Sequence, residues 1–261
     1  MTPDPPEPPD IAYVGGVRIA VADATEATNY LVGVASADNS GPYAVCFANA
    51  WTIRCANRDR EYARLLNEPQ TVTFADGRPV AILAKRHARA REHGAQARGP
   101  SVFRNVVDRG RDVGLRHFLL GTTEQTLLQL VAALESEYPG AVIAGTWAPP
   151  FGPLEGELLD EADRRVRSAH PDIVWIGMGA PRQDFAAEAL ASRSGVLTAG
   201  VGAAFDFVSG VVREAPPLWS RLGLEWLYRL GTDPRRLWRR YIVGNAQFIA
   251  YAIRAGSGPG S

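Results

Sequence analysis

Lysine is almost missing from this chain. Lys85 is the only one, and arginine supplies the rest of the positive charge. Cysteine is scarce as well: Cys46 and Cys55 stand alone, and their spacing fits no zinc or redox motif. Such a pair reads as reduced, buried thiols, which points to a cytoplasmic setting. No run of 18 apolar residues occurs, so no segment reads as a bilayer-spanning helix. The proline-rich, acidic residues 1–10 lack the basic and apolar blocks of a signal peptide. Net charge is absent too, since 28 basic residues balance 28 acidic ones. Nothing global therefore suggests nucleic acid as a partner.

Several chemical signatures are also absent. There is no phosphate-loop G-x-x-x-x-G-K-[ST] and no G-x-S-x-G nucleophile elbow. Asp160-Glu161-Ala162-Asp163 spells a helicase box, but without a phosphate loop it is a surface-helix coincidence. No G-x-G-x-x-G follows the first strand, which disfavours a nicotinamide-dependent oxidoreductase. The four histidines, His87, His93, His117 and His170, show no metal spacing, and no D-x-D triplet offers a carboxylate pair to a metal. Charge on any bound diphosphate would then fall to arginines and helix N-termini, with no metal or other cofactor expected.

What is present is a 261-residue chain, 46% hydrophobic, enough for one large domain or two small ones. Residues 1–10 read as a disordered tail. A glycine-punctuated strand and a short helix are expected over 13–34, a buried strand over 43–47, a helix through Arg58 and Glu61 to Leu66, and a strand over 71–75 closing on the turn Asp76-Gly77. The pattern then becomes regular, with strands over 116–120, 141–144, 172–177 and 196–201. Helices over 123–138, 157–169 and 184–194 alternate with them. Apolar strands alternating with helices of about a dozen residues specify an α/β fold: a Rossmann-like parallel sheet with helices on both faces. The domain is expected over 11–230, followed over 231–261 by a basic amphipathic appendage with a disordered end. Asp233-Pro234 opens its helix, expected to run to about Arg254. From Arg213 to Arg254 eight arginines face Glu214, Glu225 and Asp233.

In a parallel sheet, ligands lie beyond the carboxyl ends of the strands, where glycine lets backbone amides approach a phosphate and the next helix presents its positive end. Gly121, Gly145, Gly177, Gly179, Gly200 and Gly202 are assigned to such places. Glycine also simply ends strands, so this pattern alone leaves nucleotide binding open.

Longer motifs sharpen the reading. Residues 171–184 (P-D-I-V-W-I-G-M-G-A-P-R-Q-D) resemble the strand and G-x-G-x-P-K/R-Q-E loop of the WecG/TagA/CpsF glycosyltransferase family. Residues 200–210 (G-V-G-A-A-F-D-F-V-S-G) resemble its G-V-G-x-x-F-D-x-x-x-G. Residues 213–217 and 222–230 (L-G-L-E-W-L-Y-R-L) are similar to its R-A-P and G-L-E-W-x-Y-R-L run. Pro234-Arg235-Arg236 with Arg239-Arg240-Tyr241 are similar to the segment that succeeds this run in the family. Weaker similarity reaches back to about Gly16. The resemblance implies an inverting transferase that uses a UDP-sugar, of N-acetylmannosamine or glucose type. The acceptor it implies is a saccharide on undecaprenyl diphosphate, in cell-surface polysaccharide or teichoic acid assembly, without a bound metal.

It also implies roles. Asp76, in the D-G turn after a strand, is the expected catalytic base; an ordinary Asp-Gly turn is the bland alternative. Asn49 is expected at donor sugar or acceptor, or else as a helix N-cap. Phe47 stands where threonine is frequent. The family's R-V-x-G-x-D is degraded: Gly99-Pro100-Ser101 aligns with G-x-D and places Gln96 at the arginine, with Arg98 nearby as a substitute. Gln183 is expected on donor sugar or phosphate, Asp206 on the nucleotide or in loop support, and Arg213 on the donor. Arg229, Arg235, Arg236, Arg239, Arg240 and Trp238 form an expected appendage face. That face meets an anionic membrane surface, closes over the site, or is simply solvated. The implied location is cytoplasmic, peripheral to the inner face of the cell membrane, with self-association left open. A catalytically weakened sugar-nucleotide-binding protein of the same fold is the alternative that Gln96 and Phe47 motivate.

Overall fold

The computed structural model describes residues 9–37, 43–88, 96–216, 219, 225–232, 247–248 and 251. Its strands are β1 (Ile11–Val14), β2 (Val17–Ala20), β3 (Ala44–Ala48), β4 (Thr71–Ala75), β5 (Arg116–Gly121), β6 (Val142–Trp147), β7 (Ile173–Gly177) and β8 (Leu197–Gly200). They form one eight-stranded sheet in the order β1-β2-β4-β3-β8-β7-β5-β6. All pairings are parallel except β1 with β2. That antiparallel edge comes from Gly15-Gly16, both at positive φ (56° and 80°), the backbone of a two-residue hairpin turn. The sequence pattern suggests one strand there, and the structure has a hairpin.

The helices are α1 (Ala24–Ser36), α2 (Ala50–Ala56), α3 (Arg60–Asn67), α4 (Arg78–Ala88), α5 (Gly99–Gly110), α6 (Glu124–Glu137), α7 (Gly156–Ala169), α8 (Arg182–Ser194), α9 (Ala204–Val208) and α10 (Glu225–Thr232). Side chains alternate across each strand, so each face meets different helices. In β3, Val45 and Phe47 join the core under α1, α5, α6 and α9, while Cys46 and Ala48 join the core under α2, α3 and α4. In β7, Ile173 and Trp175 face the first of these cores, while Val174 and Ile176 face α7 and α8. This is the expected α/β architecture, covered on both faces.

Helices α4 and α5 were not anticipated. Helix α5 carries β-branched residues that weaken helix propensity, but Val102, Phe103, Val106 and Val107 recur at helical spacing and are fully buried. Tertiary burial wins there. The expected domain boundary at 230/231 falls inside α10. Of the expected appendage helix, Gln247, Phe248 and Tyr251 are helical. Phe248 is buried in the core under α2, α3 and α4, and Gln247 Oε1 accepts from Arg54 Nε at 2.5 Å. Arg235, Arg236, Arg239, Arg240 and Trp238, the side chain of Arg229, residues 1–8 of the expected tail and the chain beyond Tyr251 lie outside the described residues. Among the described residues no helix is long and apolar enough to cross a membrane.

Candidate functional site

The carboxyl ends of β4, β3, β8, β7 and β5 line up along one edge of the sheet. The register pairs Ala75 with Ala48, Cys46 with Gly200, Gly200 with Ile176, and Gly177 with Gly121. The expected base and the glycine loops therefore share one ledge.

Asp76 follows β4 and is held from several sides. Its N–H and that of Gly77 both donate to the Ala48 carbonyl, at 2.9 and 3.2 Å. Its Oδ1 accepts the Gly99 N–H at 3.0 Å, at the first turn of α5. Its own carbonyl accepts from Gln96 Nε2 at 2.9 Å. A carboxylate at a helix N-terminus is favourably placed against the helix dipole. Oδ2 has no hydrogen bond among the described residues, which leaves one carboxylate oxygen for a ligand. Gln96 thus braces the Asp76 turn from the position where the family pattern has arginine. Phe47 is turned into the core, where its ring lies against Gly99; a Cβ built there would sit 3.4 Å away.

Asn49 follows β3 and caps α2. Its Oδ1 accepts from Trp51 and Thr52 N–H at 3.0 and 3.4 Å, and the Thr52 hydroxyl accepts the Asn49 N–H in return. It lies against the Asp76 turn, since a Cβ on Gly77 would come within 3.0 Å of the Asn49 Cβ. The cap occupies Oδ1, and Nδ2 makes no hydrogen bond among the described residues.

Arg98 precedes α5. It donates to Glu214 Oε1 at 2.8 Å, and Arg104 donates to Glu214 Oε2 at 2.9 Å. Burial pushes the Glu214 carboxyl up, but the hydrogen bonds and charges of the two arginines outweigh this and hold it below the usual carboxylate range. Arg98 is therefore tied to the segment after α9, where neighbouring Arg213 is exposed.

On the other half of the ledge, Gln183 stands in the first turn of α8. Its Oε1 accepts the Gly179 N–H at 2.9 Å, and its Nε2 donates to the Gly200 carbonyl at 2.8 Å. The amide expected on the donor staples two glycine loops together. The Val201 and Gly202 N–H groups donate to the Ile176 carbonyl. Of these, the Gly202 amide is the one expected near a phosphate, and here it is engaged within the protein. Asp206 lies in the first turn of α9, and its carbonyl accepts the Val212 N–H at 3.0 Å, which turns the chain back after the helix.

Gly121 ends β5 at φ 119°, where a Cβ would come within 2.7 Å of the Gly177 carbonyl oxygen. The ledge needs glycine there. Gly145 does not belong to the ledge. It lies inside β6 opposite Phe118, and a Cβ would come within 2.8 Å of that ring. The strand runs further than its sequence pattern suggests, and packing against Phe118 explains this glycine.

Phe151 escaped the sequence reading, and Arg182 lies inside the 171–184 motif without a role assigned to it. Phe151, in the loop between β6 and α7, is 94% exposed, and the Arg182 guanidinium stacks on it at 4.3 Å from the ring centroid. Arg182 Nε is buried with no partner among the described residues. An exposed aromatic ring beside a guanidinium at strand ends is a surface suited to a flat ring and an anion. The signal was the proline-flanked Pro149-Pro150-Phe151-Gly152-Pro153 before a helix.

Among the described residues no group of three or more histidine, cysteine, aspartate or glutamate side chains is arranged to hold a metal. The ledge thus combines a braced aspartate, stapled glycine loops and arginines along one edge of the sheet. The model of the glycosyl transferase WecG/TagA/CpsF family matches residues 12–259, which takes in every part of this ledge, and the chain belongs to that family of glycosyltransferases of cell-surface polysaccharide synthesis.

Proposed function

We propose that the chain is an inverting, UDP-sugar-dependent transferase that places an N-acetylmannosamine-type or glucose-type sugar on a saccharide carried by undecaprenyl diphosphate. The observation that carries this reading is the Asp76 turn, pinned by Ala48, Gly99 and Gln96 with one carboxylate oxygen left for a ligand. Asp76 Oδ2 takes the proton of the acceptor hydroxyl as its oxygen attacks the anomeric carbon. The bond from that carbon to the diphosphate oxygen breaks, its electron pair leaves with UDP, and configuration at the anomeric carbon inverts. The uracil ring suits the Phe151–Arg182 surface, and the diphosphate suits the α6 and α8 N-termini with Arg182. A metal is not part of this scheme. The arginines of the appendage bring the enzyme to the anionic inner surface of the membrane, where a lipid-linked acceptor resides.

The test is a donor screen with UDP release as readout and a short-chain lipid diphosphate acceptor. Asp76→Ala should lower turnover by roughly two to four orders of magnitude, the usual contribution of a general base, with UDP affinity little changed. Retained turnover in that variant removes Asp76 from the role. The alternative, a weakened sugar-nucleotide-binding protein, draws on the engagement of Arg98 by Glu214 and on Phe47 facing the core. UDP binding without turnover of any donor would favour it.

A further inference from the structure

Helix α8 buries Gln183, Asp184, Ala186, Ala187, Leu190 and Ala191. Four are apolar and pack as a helix face should. The two polar ones lie together in the first turn, against the glycine loops. Asp184 is 1% exposed, and Tyr62 of α3, fully buried, donates its hydroxyl to Asp184 Oδ2 at 2.5 Å. The Tyr62 ring rests against Phe185, 5.5 Å between centroids. Asp184 Oδ1 has no hydrogen-bond partner among the described residues and lies behind Gly200, where a Cβ would approach it to 2.9 Å. Burying a carboxyl with one oxygen unpaired is unfavourable, and an alanine would pack this helix face without that penalty. A group kept at such cost directly beneath a ligand ledge calls for a role at the ledge.

We propose that Tyr62 and Asp184 form a buried positioning pair that, acting through Gln183, fixes the spacing of the two glycine loops. Tyr62 anchors the carboxyl, and the carboxyl fixes the first turn of α8. That turn aims the Gln183 amide, which bridges Gly179 to Gly200. Neither residue touches the ligand. The consequence for UDP rests on the function proposed above, whereas the consequence for the loops does not. The groups facing Asp184 are Tyr62 from α3, Cys46 from β3, the Gln183 amide from its own helix and the main chain of Gly200 from β8. The Tyr62 hydrogen bond favours the ionised carboxyl, so its loss must make Asp184 a weaker acid.

The experiment uses the full chain as wild type, Tyr62→Phe and Asp184→Asn. Hydrogen exchange is followed at Gly179 and at residues 200–202, and UDP binding is followed by calorimetry from pH 5 to 8. Tyr62→Phe keeps the ring and its packing, so it decides the matter if Asp184→Asn does not fold. Loop exchange should accelerate and UDP affinity fall by on the order of tenfold in either variant, the scale of a lost hydrogen bond to a charged group. Titration of UDP itself is common to all three proteins. Against that background the midpoint contributed by the protein should move to higher pH in Tyr62→Phe and vanish in Asp184→Asn. Loop exchange and pH dependence that match wild type in both variants overturn the proposal. Altered loop exchange in a chain that binds no UDP even as wild type upholds the pair and removes the functional reading instead.

Discussion

Replacing Asp184 by asparagine is expected to make unfolding free energy rise with pH relative to the wild type. Two buried groups make opposing contributions to the slope between pH 4 and 6. Burial raises the Asp184 carboxyl from 3.8 to about 6, against the opposing influence of the Tyr62 hydroxyl and of the neighbouring Cys46 and Gln183. Burial lowers His117 from 6.5 to about 4. His117 accepts from Trp175 Nε1 at 3.1 Å through Nδ1, and its Nε2 has no partner among the described residues, so the neutral ring is the one that fits.

The signs come from proton counts in the two states. Between pH 4 and 6 the folded chain keeps a proton on Asp184 that the unfolded chain has released, so this group's contribution to stability falls as pH rises. Over the same interval the unfolded chain binds a proton on His117 that the folded chain refuses, so that contribution grows as pH rises. Each slope is about 1.4 kcal/mol per pH unit, and each shift amounts to about 3 kcal/mol over its window. The two nearly cancel in the wild type. Asp184→Asn removes one, so the difference in unfolding free energy between variant and wild type should grow by about 3 kcal/mol from pH 4 to 6 and then level off. His117→Asn, which retains an acceptor for Trp175, should lose stability relative to wild type at a similar slope up to pH 6.5. Urea unfolding at half-unit intervals of pH, followed by circular dichroism, measures both differences. Groups such as Glu214 titrate alike in all three proteins and drop out. Curves for Asp184→Asn and wild type that run parallel from pH 4 to 6 would refute the argument.

Two further outcomes separate competing accounts of single residues. Gly145→Ala should destabilise the fold by about 1–3 kcal/mol through overpacking against Phe118, with UDP affinity unchanged; weakened UDP binding at unchanged melting temperature would return Gly145 to the ligand ledge. Changing Arg235, Arg236, Arg239 and Arg240 together to serine should weaken binding to anionic vesicles by roughly two to three orders of magnitude, at about 1 kcal/mol per arginine, and leave binding to neutral vesicles alone. Equal sedimentation of both proteins with anionic vesicles would remove the membrane role from these arginines.

The legible parts of the fold share one physical cause. Strands β3, β5 and β7 carry apolar residues on both sides because helices cover both faces, so their residues read as continuous runs whichever way each side chain points. Helix α5 was missed because its local preference and its burial disagree, and only the assembled core shows that burial decides. The hairpin at Gly15-Gly16 was missed because two short strands joined by glycines read as one interrupted strand. The site divides in the same way. The turn at Asp76 was legible because its chemistry is local, Asp-Gly after a strand being a backbone feature that a few consecutive residues define, whereas the role of base came from the family resemblance. The protein partners of Gln183 and of Arg98, the arginine beside the degraded motif, were hidden, since the choice between a ligand and a protein partner is tertiary. Gly179, Gly200 and Glu214 are adjacent to them only in space. Asp184 went unremarked beside Gln183 for the same reason, because its anchor, Tyr62, lies 122 residues away in sequence. Motifs mark where a site is, and the hydrogen bonds within them decide which residues remain to meet a ligand. Among the described residues of this ledge, Asp76 Oδ2, Asn49 Nδ2 and the Phe151–Arg182 surface keep unengaged groups, and the glycine loops lie between them.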